Sequence, residues 1–182
     1  VASMSMELLA APFIDQAHGG YYEDDSARRS RAELLEGTIL FFPHCVSVDA
    51  FQHWIYLNPE GRDADARDRK WLELRRRFEG DSVEWSGLDA ERIARWYQQP
   101  HFFGSPFYYI EYGIAQLGAL QVWRNSLHDQ PDAVRRYREA LALGATRPLP
   151  DLFKAAGARL IFDRDGMHEL ISLAEEEIAK LA

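Results

Sequence analysis

The residues best suited to chemistry lie in one segment, from His101 to Arg124, which reads HFFGSPFYYIEYGIAQLGALQVWR. His101 precedes the tyrosines Tyr108, Tyr109 and Tyr112. On a helix, residues three or four apart are neighbours, so Tyr109 and Tyr108 both direct their hydroxyl groups roughly to the side of Tyr112. A histidine and phenols that converge on one place can donate hydrogen bonds to a developing oxyanion. The ordinary alternative is that the aromatic rings pack a core and that His101 is a structural loop residue.

A buried helix is predicted to carry these tyrosines. The seventeen residues from Phe107 to Trp123 are almost all apolar or aromatic. A helix that is apolar on every side is buried, and an interrupted stretch of this length is too short for a convincing membrane span. We therefore predict a central core helix, with Pro106 tolerated at its first position. Gly104 is expected to let the preceding loop, which contains His101, close over a substrate, and a plain turn is the alternative.

The whole chain predicts an all-α fold, a multi-helix bundle formed as a single helical domain over residues 1–182. Pro43 should kink or divide the second helix near Phe42. A loop is expected over residues 80–87, and residues 160–162 are expected to be extended. The helices are predicted over residues of about 2–14, 25–57, 63–78, 89–99, 107–123, 132–143, 150–156 and 163–181.

Acidic residues are predicted to begin several of these helices. Asp63 and Asp65 open one helix, and Asp89 is expected to cap the next. The last helix should be capped by Asp163 or Asp165. Aspartate accepts a hydrogen bond from the free N–H groups of a first helical turn, so it favours helix starts.

Composition excludes several classes of protein. An apolar content of 47% and an aromatic content of 13% are too high for a disordered chain. The net charge of −8 argues against nucleic-acid binding, which usually needs a basic surface. Cys45 is the single cysteine and cannot form an internal disulfide, which favours a reducing cytoplasm. We expect Cys45 to be a small buried hydrophobe.

Several segments resemble one enzyme family. HFFGSPFYYIEYGIAQLGALQVWRN and LALGATRPLPDLFKAAGARLIF resemble the C-terminal part of oligoendopeptidase F, in the M3 family of zinc oligopeptidases. VASMSMELLAAP and VDAFQHWIYLNPEG also resemble segments of that family, in the same order. The resemblance runs essentially from Val1 to Leu181 and implies a helical portion of a catalytic domain that hydrolyses short peptides.

The zinc motif of that family is absent from the sequence. Its members carry HExxH on a helix, where two histidines bind zinc and the glutamate activates water. No two of the six histidines are four residues apart here. The third ligand of the family is a glutamate directly before the residues that match Val1, Ala2 and Ser3. The resemblance therefore implies zinc in the intact enzyme and none bound to this chain alone, which we expect to begin inside a longer protein.

The resemblance assigns substrate-side roles to the residues that remain. His101 matches a histidine in the flexible loop that contacts bound peptide. Tyr109 and Tyr112 match the catalytic tyrosine pair near the scissile carbonyl, where Tyr112 would stabilise the oxyanion. The spacing from the histidine differs by about one residue from thimet-type relatives, so Tyr108 could share or take over the role of Tyr109. Together with His101, Tyr108 and Gly104 are placed in substrate binding.

Other polar residues have less specific interpretations. Asp49 and His53 are four apart on one helix face, so they could orient each other or form a structural salt bridge. His44 and His53 are nine apart and lie on opposite faces of a straight helix, so they are not expected to form a metal pair. Glu7 does not match the position of the zinc ligand and is interpreted as an ordinary helical acid.

A second hypothesis belongs to another functional class. The chain could be a non-hydrolytic helical module for peptide binding or assembly, derived from such an enzyme. Its partners would then be short peptides or a chain that supplies the missing HExxH region. Under either hypothesis we expect an exposed apolar face that promotes self-association, and no nucleic-acid or membrane partner.

Overall fold

The computed structural model describes residues 1–80 and 83–181, and in this part of the chain the predicted all-α fold is confirmed. The described residues contain no β-strand, only an isolated bridge between Asp15 and Tyr22. The predicted loop over 80–87 includes residues 81 and 82, which lie outside the described residues. Short 3-10 segments lie at Ala11–Phe13, Gln16–His18, Pro59–Arg62 and Arg95–Gln98. The α-helices are α1 Ala2–Ala10, α2 Asp24–Leu57, α3 Ala64–Glu79, α4 Asp89–Ala94, α5 His101–Gly104, α6 Ile110–His128, α7 Gln130–Leu143, α8 Leu149–Ala155 and α9 Arg164–Leu181.

The chain divides into two compact units. The first comprises Val1–Ile39 and Ile114–Ala182, and the second comprises Leu40–Gly113. Each unit has an apolar cluster of its own. The single domain proposed over 1–182 stays a prediction.

The core of the first unit surrounds the middle of α6. Residues 116–123 are all buried, which confirms the prediction of a buried helix at this position. The side chains of its two buried glutamines both form hydrogen bonds. Gln121 donates to the carbonyl of Arg159 at 2.8 Å and accepts from its N–H at 3.0 Å, and Gln116 donates to the hydroxyl of Thr38 at 2.9 Å. Burial of these amides is tolerated because each has a partner.

The core of the second unit is aromatic. Its buried members are Cys45, Val48, Phe51, Trp71, Leu74, Trp96, Phe102 and Tyr109. The two indole N–H groups in this core are satisfied, since Trp71 donates to the carbonyl of Arg92 and Trp96 to the carboxylate of Asp68, each at 3.1 Å. Cys45 is buried as expected, and burial raises the pKa of its thiol to about 11.

The structure corrects two helix predictions. Helix α2 runs through Pro43 without interruption, so of the two expected effects, a kink or a division near Phe42, the division is wrong and the kink stays a prediction. Proline removes one backbone hydrogen bond, and the buried side chains of Phe42 and Cys45 on either side hold the helix together. Helix α6 begins at Ile110 rather than Phe107, because Phe107 adopts a left-handed backbone conformation with φ of 61°. A helix cannot continue through that conformation.

The predicted caps are partly correct. The Asp63 side chain accepts from the N–H of Ala66 at 2.7 Å, and Asp163 accepts from Gly166 at 2.7 Å, so Asp163 rather than Asp165 caps α9. Asp89 is the first residue of α4 rather than its cap, because Leu88 occupies the capping position. Ala66 and Gly166, whose N–H groups these aspartates accept from, are both buried.

Helix α2 is the one helix among the described residues that is long and apolar enough to cross a membrane. Core helices of water-soluble proteins meet the same criterion. The buried residues Leu35, Val48 and Phe51 show that α2 also supplies core side chains.

Replacing Asp63 by alanine should lower the free energy of unfolding by about 1 kcal/mol, because an N–H at the start of α3 loses its acceptor. Asp63→Asn should retain most of the stability, since its side-chain oxygen can accept the same bond. Urea unfolding of both variants measures the difference. Equal stability of Asp63→Ala and the parent chain would contradict the capping role.

Candidate functional site

His101 begins the one-turn helix α5, so the prediction that it lies in a loop is wrong. The turn closes because the N–H groups of Phe103 and Gly104 donate to the carbonyl of Pro100 at 3.0 and 2.9 Å. The N–H of Ser105 donates to the carbonyl of His101 at 3.2 Å. The side chain of Phe102 is buried in the aromatic core and fixes the turn there.

The structure brings the four predicted rings into one cluster, with His101 at its centre. Its imidazole lies parallel to the ring of Tyr108, 6.0 Å away and tilted by 2°. It meets Tyr109 and Tyr112 edge to face, at centroid distances of 5.0 and 5.7 Å. Tyr112 in turn contacts Tyr108 at 5.6 Å and Tyr109 at 5.4 Å. These four rings, His101, Tyr108, Tyr109 and Tyr112, are called the ring cluster below.

A hydrogen bond joins two members of the ring cluster, with 3.4 Å between His101 Nε2 and Tyr112 Oη. His101 Nδ1 is buried and has no partner among the described residues. A proton on Nδ1 would leave a buried N–H without an acceptor, which is rare in native structures. The tautomer with the proton on Nε2 fits better. In that tautomer His101 donates to Tyr112 Oη and leaves the tyrosine O–H free to donate to another acceptor.

The neighbouring tyrosines Tyr108 and Tyr109 differ in exposure. Tyr108 is 43% exposed, whereas Tyr109 is 8% exposed and belongs to the aromatic core. Burial raises the pKa of the Tyr109 phenol, Cys45 and Tyr112 add to the rise, and Arg75 opposes it. Tyr108 therefore offers more of its surface to a bound molecule than Tyr109 does.

Gly104 ends α5 and is exposed. A Cβ atom placed on it would meet no described atom within 4 Å, and its φ is not positive. The position therefore does not require glycine for steric reasons. The unusual backbone conformation of this segment lies instead at Phe107.

Buried charged residues lie behind Tyr109. The His44 ring contacts the Tyr109 ring at 5.7 Å, and the Arg75 guanidinium donates to His44 Nδ1 at 2.9 Å. Arg75 is paired with Glu79, which also pairs with Arg92 at 3.2 Å. Burial, together with Arg75 and Arg95, lowers the pKa of His44 to about 4. His44 is therefore a neutral acceptor at neutral pH.

The predicted pairing of Asp49 with His53 is present on α2, with 3.7 Å between Asp49 Oδ2 and His53 Nε2. Burial raises the pKa of Asp49, and His53 opposes the rise. The other carboxylate oxygen, Oδ1, is buried without a partner among the described residues. The His53 ring also contacts Phe107 at 4.9 Å.

Sequence reasoning missed two residues that contact the histidine segment. Gln52 and Tyr56 lie on the face of α2 that carries Asp49 and His53. Tyr56 Oη donates to the carbonyl of Phe102 at 2.6 Å, and Gln52 Nε2 donates to the carbonyl of His101 at 3.4 Å. The spacing of 49, 52, 53 and 56 was the available signal, because it places four polar side chains on one stripe of an apolar helix.

The described residues do not fit a zinc ion. No group of three or more histidine, cysteine, aspartate or glutamate side chains in residues 1–80 and 83–181 is arranged to hold a metal. Catalytic zinc sites need three protein ligands and an open position. His44, whose ring lies against Tyr109, is occupied by Arg75 and Gln99.

The sequence profile of peptidase family M3 matches residues 1–170. The chain belongs to peptidase family M3. The match covers the whole ring cluster and all helices except the end of α9. None of the curated proteins compared with the chain matches it.

Solved structures of M3-type peptidases have the same fold. PZ peptidase A with an inhibitor is 28% identical, with a TM-score of 0.86 over 98% of this chain and 31% of that chain. A protein described as an oligoendopeptidase F is 29% identical, with a TM-score of 0.81 over 97% of this chain and 30% of that chain. Another, from Bacillus anthracis strain Ames, is 26% identical, with a TM-score of 0.75 over 98% of this chain and 27% of that chain. The chain thus spans about three-tenths of the length of these M3-type relatives.

The half-buried, neutral His44 should make folding sensitive to acid. Its folded pKa of about 4 lies below the ordinary value of 6.5, so the unfolded chain binds more protons between these values. The contribution of neutral His44 is complete above about pH 6.5 and is lost as the pH falls towards about 4. His44→Gln should therefore lose less stability than the parent chain over this interval. Urea unfolding at several pH values across this interval measures the free energy of unfolding of both proteins. An equal loss of stability in both proteins would contradict the prediction.

Proposed function

We propose that the chain is the C-terminal, substrate-facing portion of an M3 oligoendopeptidase that hydrolyses short peptides. The observation that carries the proposal is the ring cluster. In it a histidine, a buried tyrosine and an exposed tyrosine lie together. Membership of family M3 and the peptidase folds of the similar structures support it.

In the proposed reaction, attack on a peptide carbonyl converts its oxygen to an oxyanion. Tyr112 is the proposed donor to that oxyanion, because the hydrogen bond from His101 Nε2 leaves its own O–H free. Tyr109 is proposed to support Tyr112 through ring contact and to take part as the second tyrosine of the pair. His101 and the more exposed Tyr108 are proposed to contact the peptide, and Gly104 is proposed to let α5 move during binding.

The proposed intact enzyme needs zinc, which in this family activates the attacking water. The described residues of this chain do not hold a suitable group of ligands. We therefore propose that the zinc ligands and the general base lie in a part of the enzyme outside this chain. Self-association through an apolar face, or pairing with a chain that carries HExxH, belongs to the same proposal.

We also propose a cytoplasmic enzyme without a nucleic-acid or membrane partner. The net charge of −8 does not suit a phosphate backbone. The single cysteine is buried as a thiol, which a reducing compartment preserves.

Replacing Tyr112 by phenylalanine should lower kcat of the intact peptidase by about 10²–10³-fold with little change in KM, because one oxyanion donor is lost. Tyr21→Phe, at a side chain that is 95% exposed in the first unit, is the matched control and should leave kcat unchanged. Steady-state hydrolysis of a quenched fluorescent peptide measures both constants. Unchanged kcat for Tyr112→Phe would contradict the proposal, and peptide binding without hydrolysis by the intact protein would favour the module instead.

The isolated chain should neither hydrolyse the same peptide nor retain stoichiometric zinc after dialysis, because its described residues offer no ligand set. Metal analysis and the fluorescence assay test the two parts separately, with a complete M3 peptidase as the positive control. One tightly bound zinc per chain, accompanied by peptide turnover, would refute this prediction.

A further inference from the structure

Two side chains of α2 hold the backbone of the turn that carries His101. Tyr56 Oη donates to the carbonyl of Phe102 at 2.6 Å, and Gln52 Nε2 donates to the carbonyl of the next residue back, His101, at 3.4 Å. The two donors lie four residues apart, which is about one turn of α2, so they are on the same face of that helix. From this face they reach two consecutive carbonyl groups.

The turn depends on such donors because it is short. Helix α5 has four residues, and the last four carbonyls of any helix lack partners within it. The His101 carbonyl already accepts from the N–H of Ser105, and Gln52 adds a second donor to it. The Phe102 carbonyl receives the hydroxyl of Tyr56. A one-turn helix is not stable by itself, so these contacts help to keep it formed.

Gln52 is unusual in its burial. Its side chain is 0% exposed, and its Oε1 has no partner among the described residues. An amide is costly to bury when it is only half satisfied. Methionine or leucine would fill the same space without that cost, so packing alone does not account for a glutamine at this position.

The same face of α2 also contacts the far end of the segment. Phe107, in its left-handed conformation, packs between His53 at 4.9 Å and Tyr56 at 5.5 Å. Such a conformation is sparsely populated for a phenylalanine and persists only when its surroundings impose it. Tyr56 thus contacts residues near both ends of the segment that runs from His101 to Tyr108.

We propose that Gln52 and Tyr56 are positioning residues, which set the place of His101 and Tyr108 relative to Tyr112 through the backbone of α5. Neither side chain needs to touch the peptide. The inference rests on the proposed function, because it assigns the turn the task of presenting substrate-binding rings. Small displacements of positioned groups lower rates strongly, so loss of either donor acts on turnover.

The test uses isosteric variants of the intact protein. Tyr56→Phe removes only the hydroxyl, and Gln52→Met keeps the length of the side chain. Tyr97→Phe is the matched control, since Tyr97 is a tyrosine of the second unit that is 53% exposed, compared with 46% for Tyr56. Hydrogen exchange of the peptide covering residues 101–109 reports the turn without reference to activity. Hydrolysis kinetics report catalysis, and urea unfolding identifies a variant that is globally unfolded.

We expect Tyr56→Phe and Gln52→Met to exchange faster over residues 101–109 and to lose about tenfold to a hundredfold in kcat, with KM changed less. Tyr97→Phe should resemble the parent protein. Unchanged exchange would overturn the inference, and so would faster exchange with unchanged kcat while Tyr112→Phe is impaired. If Tyr112→Phe is as active as the parent, the proposed function fails first and the positioning role fails with it.

Discussion

The ring cluster depends on the burial of one side chain, that of Phe102. Its ring is 5.4 Å from Phe51, 6.2 Å from Trp96 and 6.3 Å from Trp71, each time close to edge-to-face. Edge-to-face contacts restrict orientation more than ordinary apolar contact does. Because these contacts fix the position and orientation of the Phe102 ring, the neighbouring residue His101 has little freedom to turn away from the tyrosines. The aromatic core of the second unit is therefore part of the site as well as the source of its stability.

The sequence left the catalytic role open between two adjacent tyrosines, and their difference in burial suits them to different parts of the proposed function. A side chain buried in the core can orient a neighbour, and one that remains exposed can meet a ligand. Tyr109 suits the first, since it packs against His44 and Tyr112 and its carbonyl accepts from the Cys45 thiol at 3.6 Å. Tyr108 is placed for the second, since it lies parallel to His101 and keeps 43% of its surface exposed.

The sequence predicted the elements better than the turns between them. The buried helix and the caps at Asp63 and Asp163 follow from local rules, because apolar periodicity and aspartate acceptors act within a few residues. The start of α6 does not follow from such rules. Phe107 takes a left-handed conformation because its ring packs against residues of α2. No residue type near Phe107 in the sequence predicts that contact.

The same limit explains which site residues were found. His101 and the tyrosines could be singled out from the sequence because the proposed chemistry belongs to their side chains. Gln52 and Tyr56 act on backbone carbonyls, and every residue has a carbonyl, so nothing in the sequence marks their targets. Whether α2 would continue through Pro43 could not be decided from the sequence for a related reason. Local propensity opposes it, and only packing by residues distant in sequence outweighs that propensity.

The charges behind the ring cluster favour donation rather than proton abstraction by Tyr109. Burial raises the pKa of this phenol, and the opposing field of Arg75 does not reverse the rise. A phenol with a raised pKa keeps its proton and can donate a hydrogen bond, whereas a general base must first lose it. Neutral His44 fits the same pattern, because it accepts from Arg75 and adds no second positive charge beside the guanidinium. Both observations agree with the proposed role of the tyrosine pair as donors to negative charge that develops on a bound peptide.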